Sequence, residues 1–489
     1  MSDTIESLNS AAVWRYFIEI CRIPRPSKRE EKISSYICDF ARNHHLEYAK
    51  DNAGNILITK PSYLGYDHLK PVVLQSHLDM VCEKNSHVNH DFDADPIIPF
   101  IEDGWIRARG TTLGADDGIG IAAQLAVLES AKIEHGPIEC LFTVDEESGM
   151  TGAHGLKKNF FKSTILLNLD SEDEGELFIG CAGGIDTIAV FGFNTEPLPE
   201  DVEAFSIRIN GLRGGHSGDD INKGGGNSVK ILTRYLLQAT EKYTIRLSSF
   251  DGGNKRNAIP REAEALFVIP RKKVASFQAY TRAFTEELKS EFRVREPELE
   301  ILLNSTNLPG HVISLKSQQL ILNALEACPH GVQSMSRHIP GLVETSTNLA
   351  SVKMKDNQSV IITTSQRSSV ESAKKDIARQ VASVFSLAGA KVSHTEGYPG
   401  WTPNPDSEIL HTVKKAYFKL FRKEPLIRAI HAGLECGLFL KKYPGLDMIS
   451  FGPTIKGAHS PDERIHIEST RKFWELLIEV LKNIPARQD

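Results

Sequence analysis

Val72-Val73-Leu74-Gln75-Ser76-His77-Leu78-Asp79 begins as a short apolar run and closes on a histidine and an aspartate two residues apart. The run is too short for a helix and opens with β-branched residues, as a buried strand does. Comparable apolar strands stand at 138–144 and 164–169, and the Ala- and Leu-rich stretch 118–130 between them and the first reads as a helix. Short continuous strands alternating with helices predict an α/β sheet covered on both faces. The same texture returns near the C-terminus, with a helix at 410–421, a strand at 448–451 and a helix at 469–482.

Upstream, Ser27-Lys28-Arg29-Glu30 has the S-x-x-E form of a capping box, and Ile33, Tyr36, Ile37 and Phe40 follow at helical spacing. The cluster Asp51-Asn52-Ala53-Gly54-Asn55 predicts a turn before a strand at 56–58. Between 187 and 396 the order changes to strand 204–209, helix 227–240, strands 243–249 and 263–269, helix 273–292 and strand 299–303. A similar order follows, with a less distinct start: helix 315–328, strands 342–352 and 359–364, a helix to 387, then a strand. Two split β-α-β units in an inserted α+β domain account for this. The expected organisation is a discontinuous domain, 1–186 with 397–489, interrupted by an inserted domain at 187–396.

The 57 basic and 63 acidic residues give a net charge of −6, with no basic excess of the kind nucleic acid requires. No apolar run approaches the roughly 18 residues needed to span a bilayer. Met1-Ser2-Asp3-Thr4-Ile5-Glu6 is acidic and lacks the order of a signal peptide. The expectation is a cytoplasmic protein without nucleic-acid or membrane partners. The seven cysteines are scattered and never spaced C-x-x-C, which fits reduced thiols rather than a thiolate metal site. Any metal must therefore be held by His, Asp and Glu.

Such residues close the predicted strands, where ligands of open α/β sheets bind. In His77-Leu78-Asp79 the spacing lets Asp79 reach the His77 ring and fix its tautomer. Asp116-Asp117 precede a Gly-opened helix; an N-cap explains one aspartate and leaves the other over. Asp145-Glu146-Glu147 end the strand 138–144, Asp170 follows 164–169, and His459 lies beyond 448–451. Each alone has a plain reading as a cap or a solvated acidic turn. Jointly they supply the donors of a two-metal site from several strand ends.

Ser76-His77-Leu78-Asp79-Met80-Val81, Thr112-Leu113-Gly114-Ala115-Asp116, Asp145-Glu146-Glu147 and His431-Ala432-Gly433-Leu434-Glu435-Cys436-Gly437 resemble motifs of the zinc metallopeptidase family of carboxypeptidase G2, carnosinase and bacterial dipeptidases. The resemblance spans almost the whole chain. It implies a phosphorylase/hydrolase-like zinc peptidase domain with an inserted lid of two split β-α-β units. It implies a metal-dependent dipeptidase that cleaves Xaa-His and other dipeptides through a water bridging two divalent ions, zinc first, with cobalt or manganese as alternatives. Aminoacylase, desuccinylase and tripeptidase activities are the neighbouring readings.

By the same resemblance, Asp116 bridges the ions, His77 and Asp170 complete one site, and Glu147 and His459 the other. Asp79 orients His77, Glu146 is the general base, and a cis peptide follows the bridging aspartate. Glu146 adjoins a ligand, as a proton acceptor for the bridging water must. Of the substrate residues, His216 in Gly214-Gly215-His216-Ser217-Gly218 corresponds to the histidine that stabilises the oxyanion. Asn257, Arg367 and Gly433 hold the substrate, Arg367 at its carboxylate, and Glu435 meets the free amine. Some relatives are homodimers in which this histidine enters a partner's site, while in others a duplicated lid supplies it within one chain.

Overall fold

A computed structural model describes residues 5, 8–355 and 358–487. The acidic stretch at 1–6 thus lies outside the described residues, save Ile5. The chain divides into two compact units, one of Met1–Gly180, Pro403–Ala429 and Leu434–Asp489, the other of Cys181–Thr402 and Ile430–Gly433.

The first unit is built on an eight-stranded mixed sheet. Its centre runs Ile138–Thr143, Val72–His77, Ile165–Asn168 and Asp447–Ser450, all mutually parallel. These are the apolar runs of the sequence, and every residue of the first three is buried. Being parallel, they deliver their carboxyl ends to one edge, so the segments after His77, Thr143, Asn168 and Ser450 share that edge. Helix Ala115–Glu129 has almost no exposed residue, which is why its sequence is apolar all round.

The S-x-x-E stretch does not form a capping box. Helix Glu31–Asn43 starts without a side-chain cap. The Ser27 hydroxyl instead donates to Asp79 Oδ2 at 2.8 Å. A tertiary partner has taken the side chain that local sequence assigned to a cap.

The second unit carries a nine-stranded sheet. Strands Val202–Asn210, Arg246–Gly252, Ala263–Pro270 and Glu300–Thr306, with helices Ser228–Tyr243 and Val274–Phe292, form the first βαββαβ copy. The second copy uses Gly183–Gly192, helix Leu315–Ala327, Val343–Lys355, Ser359–Ser368, helix Glu371–Leu387 and Lys391–His394. Its first strand precedes the whole first copy in the chain. One copy is nested inside the other, and for this reason the second copy's start is indistinct in sequence. Phe205, Tyr235, Phe267 and Phe277 of the first copy and Phe191, Ile362 and Phe385 of the second belong to one continuous apolar core.

Candidate active site

In the first unit the strand ends bring His77, Asp116, Glu147, Asp170 and His459 together. His77 Nε2 lies 3.0 Å from Asp116 Oδ1 and 3.2 Å from Asp170 Oδ1. His459 Nε2 lies 3.2 Å from Asp116 Oδ2 and 3.0 Å from Glu147 Oε2. Asp116 thus offers one oxygen to each histidine, and its peptide bond to Asp117 is cis. His459 sits in a left-handed backbone conformation, φ 62°, in the loop beyond the strand.

Asp79, fully buried, faces the other nitrogen of the His77 ring at 3.3 Å. Its carboxylate also accepts from the amides of Glu146 at 3.0 Å and Glu147 at 3.2 Å. One aspartate therefore orients a ring and pins the turn that presents Glu146 and Glu147. Burial opposes its ionisation, but the bonds from His77, Ser27 and Glu146 hold it down at about 2.

The remaining electrostatics are those of an overcrowded anionic pocket. Burial and neighbouring acids push Asp170 up to about 7 and Glu172 up to about 8. Glu146 is raised well above the carboxylate range by burial and by the charges of Asp170, Glu435 and Glu147. Contacts with Asp116 and Glu147 push His459 up to about 11. Glu147 Oε1 is buried without a hydrogen-bond partner. His and carboxylate donors, mutual repulsion and an orphaned oxygen fit divalent cations. A further acidic group, Glu30, Asp79 and Asp145, does not share this need. Glu30 accepts from the amides of Lys28 and Asp145, and Asp145 from the hydroxyls of Ser148 and Thr151.

Glu435 also lies in the first unit and is 1 % exposed. Its Oε2 accepts from Gln75 Nε2 and Thr143 Oγ1, both at 2.7 Å, while Oε1 is buried without a hydrogen bond. Burial pushes it up to about 8.

The second unit assembles the other candidate residues around His216. His216 bridges to Ala258, and the Ser217 amide donates to the Asn257 carbonyl at 2.8 Å. His216 Nδ1 lies 3.3 Å from the amides of Gly218 and Asp219 and 3.2 Å from Asp219 Oδ2. These contacts engage Nδ1 and leave Nε2 as the other ring nitrogen. Arg367, 7 % exposed, donates to the Tyr398 hydroxyl at 2.9 Å and joins no ion pair among the described residues. Gly433 lies against the Tyr398 ring, where a Cβ would approach to 2.7 Å. His431, not singled out from sequence, shares a hydrogen bond with Ser346 Oγ at 2.7 Å, and its carbonyl crowds Gly218. Burial, then Arg367, lowers it to about 4.

Sequence reading also missed Arg25 and Glu463, which contact the segments that carry the candidate ligands. No spacing rule marks them, because most of their partners are backbone groups of distant loops.

Residues 73–483 match Peptidase family M20/M25/M40. The chain is 46 % identical over 483 residues to the cytosol non-specific dipeptidase of Escherichia coli K12, covering 99 % of each. It superposes on the crystal structure of aminoacylhistidine dipeptidase from Vibrio alginolyticus with a TM-score of 0.93, at 42 % identity and 99 % coverage of both chains. A tripeptidase from Staphylococcus aureus, 18 % identical with a TM-score of 0.56 over 98 % of this chain and 99 % of its own, shares the fold.

Proposed function

The chain belongs to peptidase family M20/M25/M40, and from that premise we propose that it hydrolyses dipeptides, Xaa-His among them, and that His77, Asp116, Glu147, Asp170 and His459 would hold a pair of divalent ions. The observation that carries this reading is the Asp116 carboxylate, which gives one oxygen to His77 and the other to His459. His77 and Asp170 complete one site, Glu147 and His459 the other. Zinc suits these donors, which also accept cobalt or manganese. When bound, such a pair acidifies a shared water and polarises the scissile carbonyl.

The chain's own groups do the rest. Glu146 receives the proton of the attacking water and passes it to the leaving amine. Asp79 keeps the His77 ring in the tautomer that leaves Nε2 free for its ion. His216 donates from Nε2 to the oxyanion.

Two buried groups support a substrate charged at both ends. Arg367 is a buried cation outside every ion pair among the described residues, and its planar fork suits a carboxylate. Glu435 keeps one buried oxygen without a donor, which an ammonium group would supply. Asn257 and Gly433 are assigned to substrate binding by the same reading. Among the described residues no helix is long and apolar enough to cross a membrane, and we assign the cytosolic compartment named for the Escherichia coli relative.

The test is a panel of Xaa-His and Xaa-Xaa dipeptides, each also supplied N-acetylated and C-amidated. Free dipeptides are cleaved, chelator abolishes the reaction and added zinc restores it; both blocked forms resist. Equal cleavage of the acetylated substrates at their peptide bond would overturn the role of Glu435, and release of acetate instead would favour deacylation.

A further inference from the structure

Two buried side chains of opposite charge hold the same segment, 113–116, by its opposite polar groups. Glu463 accepts from four consecutive amides: Leu113 at 2.7 Å, Gly114 at 2.9 Å, Ala115 at 2.7 Å and Asp116 at 3.2 Å. Arg25 donates to the carbonyls of Gly114 at 2.5 Å, Leu78 at 3.0 Å and Asp79 at 2.6 Å. Each is 2 % exposed. The fit is close, since Gly114 has φ 72° and a Cβ there would lie 2.7 Å from Arg25 Nη2.

These contacts join three loops. Arg25 connects the His77–Asp79 segment to 113–116. Glu463 connects 113–116 to the loop of His459, four residues before it, where its own amide donates to the Ser460 carbonyl at 3.1 Å. Asp116, at the end of the clamped segment, must face two histidines at once, and a tilt of its peptide would favour one at the expense of the other.

We propose that Glu463 and Arg25 are positioning residues that hold Asp116 between the two metal sites, with Glu463 governing the site of Asp116, Glu147 and His459. The inference rests on the two-metal reading above. Neither residue touches reacting atoms. A carboxylate can accept four amides because it has two acceptor oxygens and no hydrogen. A glutamine keeps one acceptor and turns an NH2 group toward amides that also donate, at nearly the same volume.

The experiment strips the full-length enzyme with chelator and titrates it with Zn2+ by calorimetry and with Co2+ by absorption. The wild type takes up two ions. Glu463→Gln is expected to retain one ion with unchanged affinity and bind the other about 10–100-fold more weakly, the range for supporting residues of metal ligands. Unchanged binding of both ions, or equal weakening of both, would overturn the proposal, because a merely structural role does not select one site. Should Glu463→Gln fail to fold, Glu463→Asp, which keeps the charge and shortens the reach, is judged by the same criterion. A wild type that binds fewer than two ions would sink the two-metal reading itself.

Discussion

Glu146 follows Asp145 and precedes the candidate ligand Glu147, and its carboxyl is raised by burial and by the acids around it. Its place beside a candidate ligand suits a group that takes up a proton from a shared water and gives it back. Glu146→Gln keeps the shape and removes the base, so kcat should fall about 10²–10⁴-fold with KM little changed. Elemental analysis should still find two ions per chain. An active Glu146→Gln enzyme would place the base elsewhere. At this scale the sequence was informative where chemistry follows spacing: His77 and Asp79 stand two apart, and the acids of 145–147 directly follow a buried strand. It misled at Ser27, whose hydroxyl serves Asp79 rather than a helix end. It was silent on Glu463, because a carboxylate that binds four amides leaves no pattern of residue types.

The central parallel strands of the first unit and most strands and helices of the second were legible from apolar periodicity, but the edge strands, such as Glu47–Lys50 and Glu176–Cys181, and the nesting of one βαββαβ copy in the other were not, since periodicity is local and strand pairing is not. The seam between the copies shows what pairing adds. Strands Arg246–Gly252 and Val343–Lys355 meet at the pair Gly252 and Val352, and at Gly253, φ 64°, a Cβ would lie 2.0 Å from the Ala350 carbonyl oxygen. Side chains reinforce this junction. Asn227 caps helix Ser228–Tyr243 by accepting from Val229 and Lys230, and donates to the Leu349 carbonyl at 2.9 Å. Asn227→Ala loses the cap and the seam bond together and should lower stability by about 1–2 kcal/mol, read as a lower denaturant midpoint. An unchanged midpoint would show that the ladder alone holds the seam. Leu349 also donates its amide to His330 Nδ1 at 3.3 Å, and burial lowers His330 from 6.5 to about 4. Between those values the unfolded chain binds a proton that the native one refuses. The contribution is therefore complete above pH 6.5 and declines as pH falls toward 4, by at most about 1.4 kcal/mol per pH unit. His330→Gln keeps an acceptor and does not titrate, so its stability should fall less steeply over this window; equal slopes would assign the acid sensitivity to other groups.

For the molecule as a whole, duplication within the inserted unit bears on how many chains make an active enzyme. His216 and Asn257 come from the first copy and Arg367 from a strand of the second, and the Arg367 Nε to Ser217 Oγ approach of 3.4 Å brings the copies together in one chain. His431 joins them from the short return Ile430–Gly433. If these residues bind substrate as proposed, a cluster that draws on both copies of one chain would need no histidine from a second. Complementation separates the alternatives, because Glu146→Gln and His216→Ala each disable a different step. Mixed after co-refolding, the two variants should show only the sum of their residual rates, at every ratio and at concentrations where gel filtration finds any dimer. Recovery toward one quarter of wild-type activity at equal ratios, as random pairing of subunits would give, would mean that His216 crosses to a partner. In that case the second copy would serve to hold Arg367 and Tyr398 rather than to replace a neighbouring chain, and the Arg367 to Ser217 contact would be a structural one.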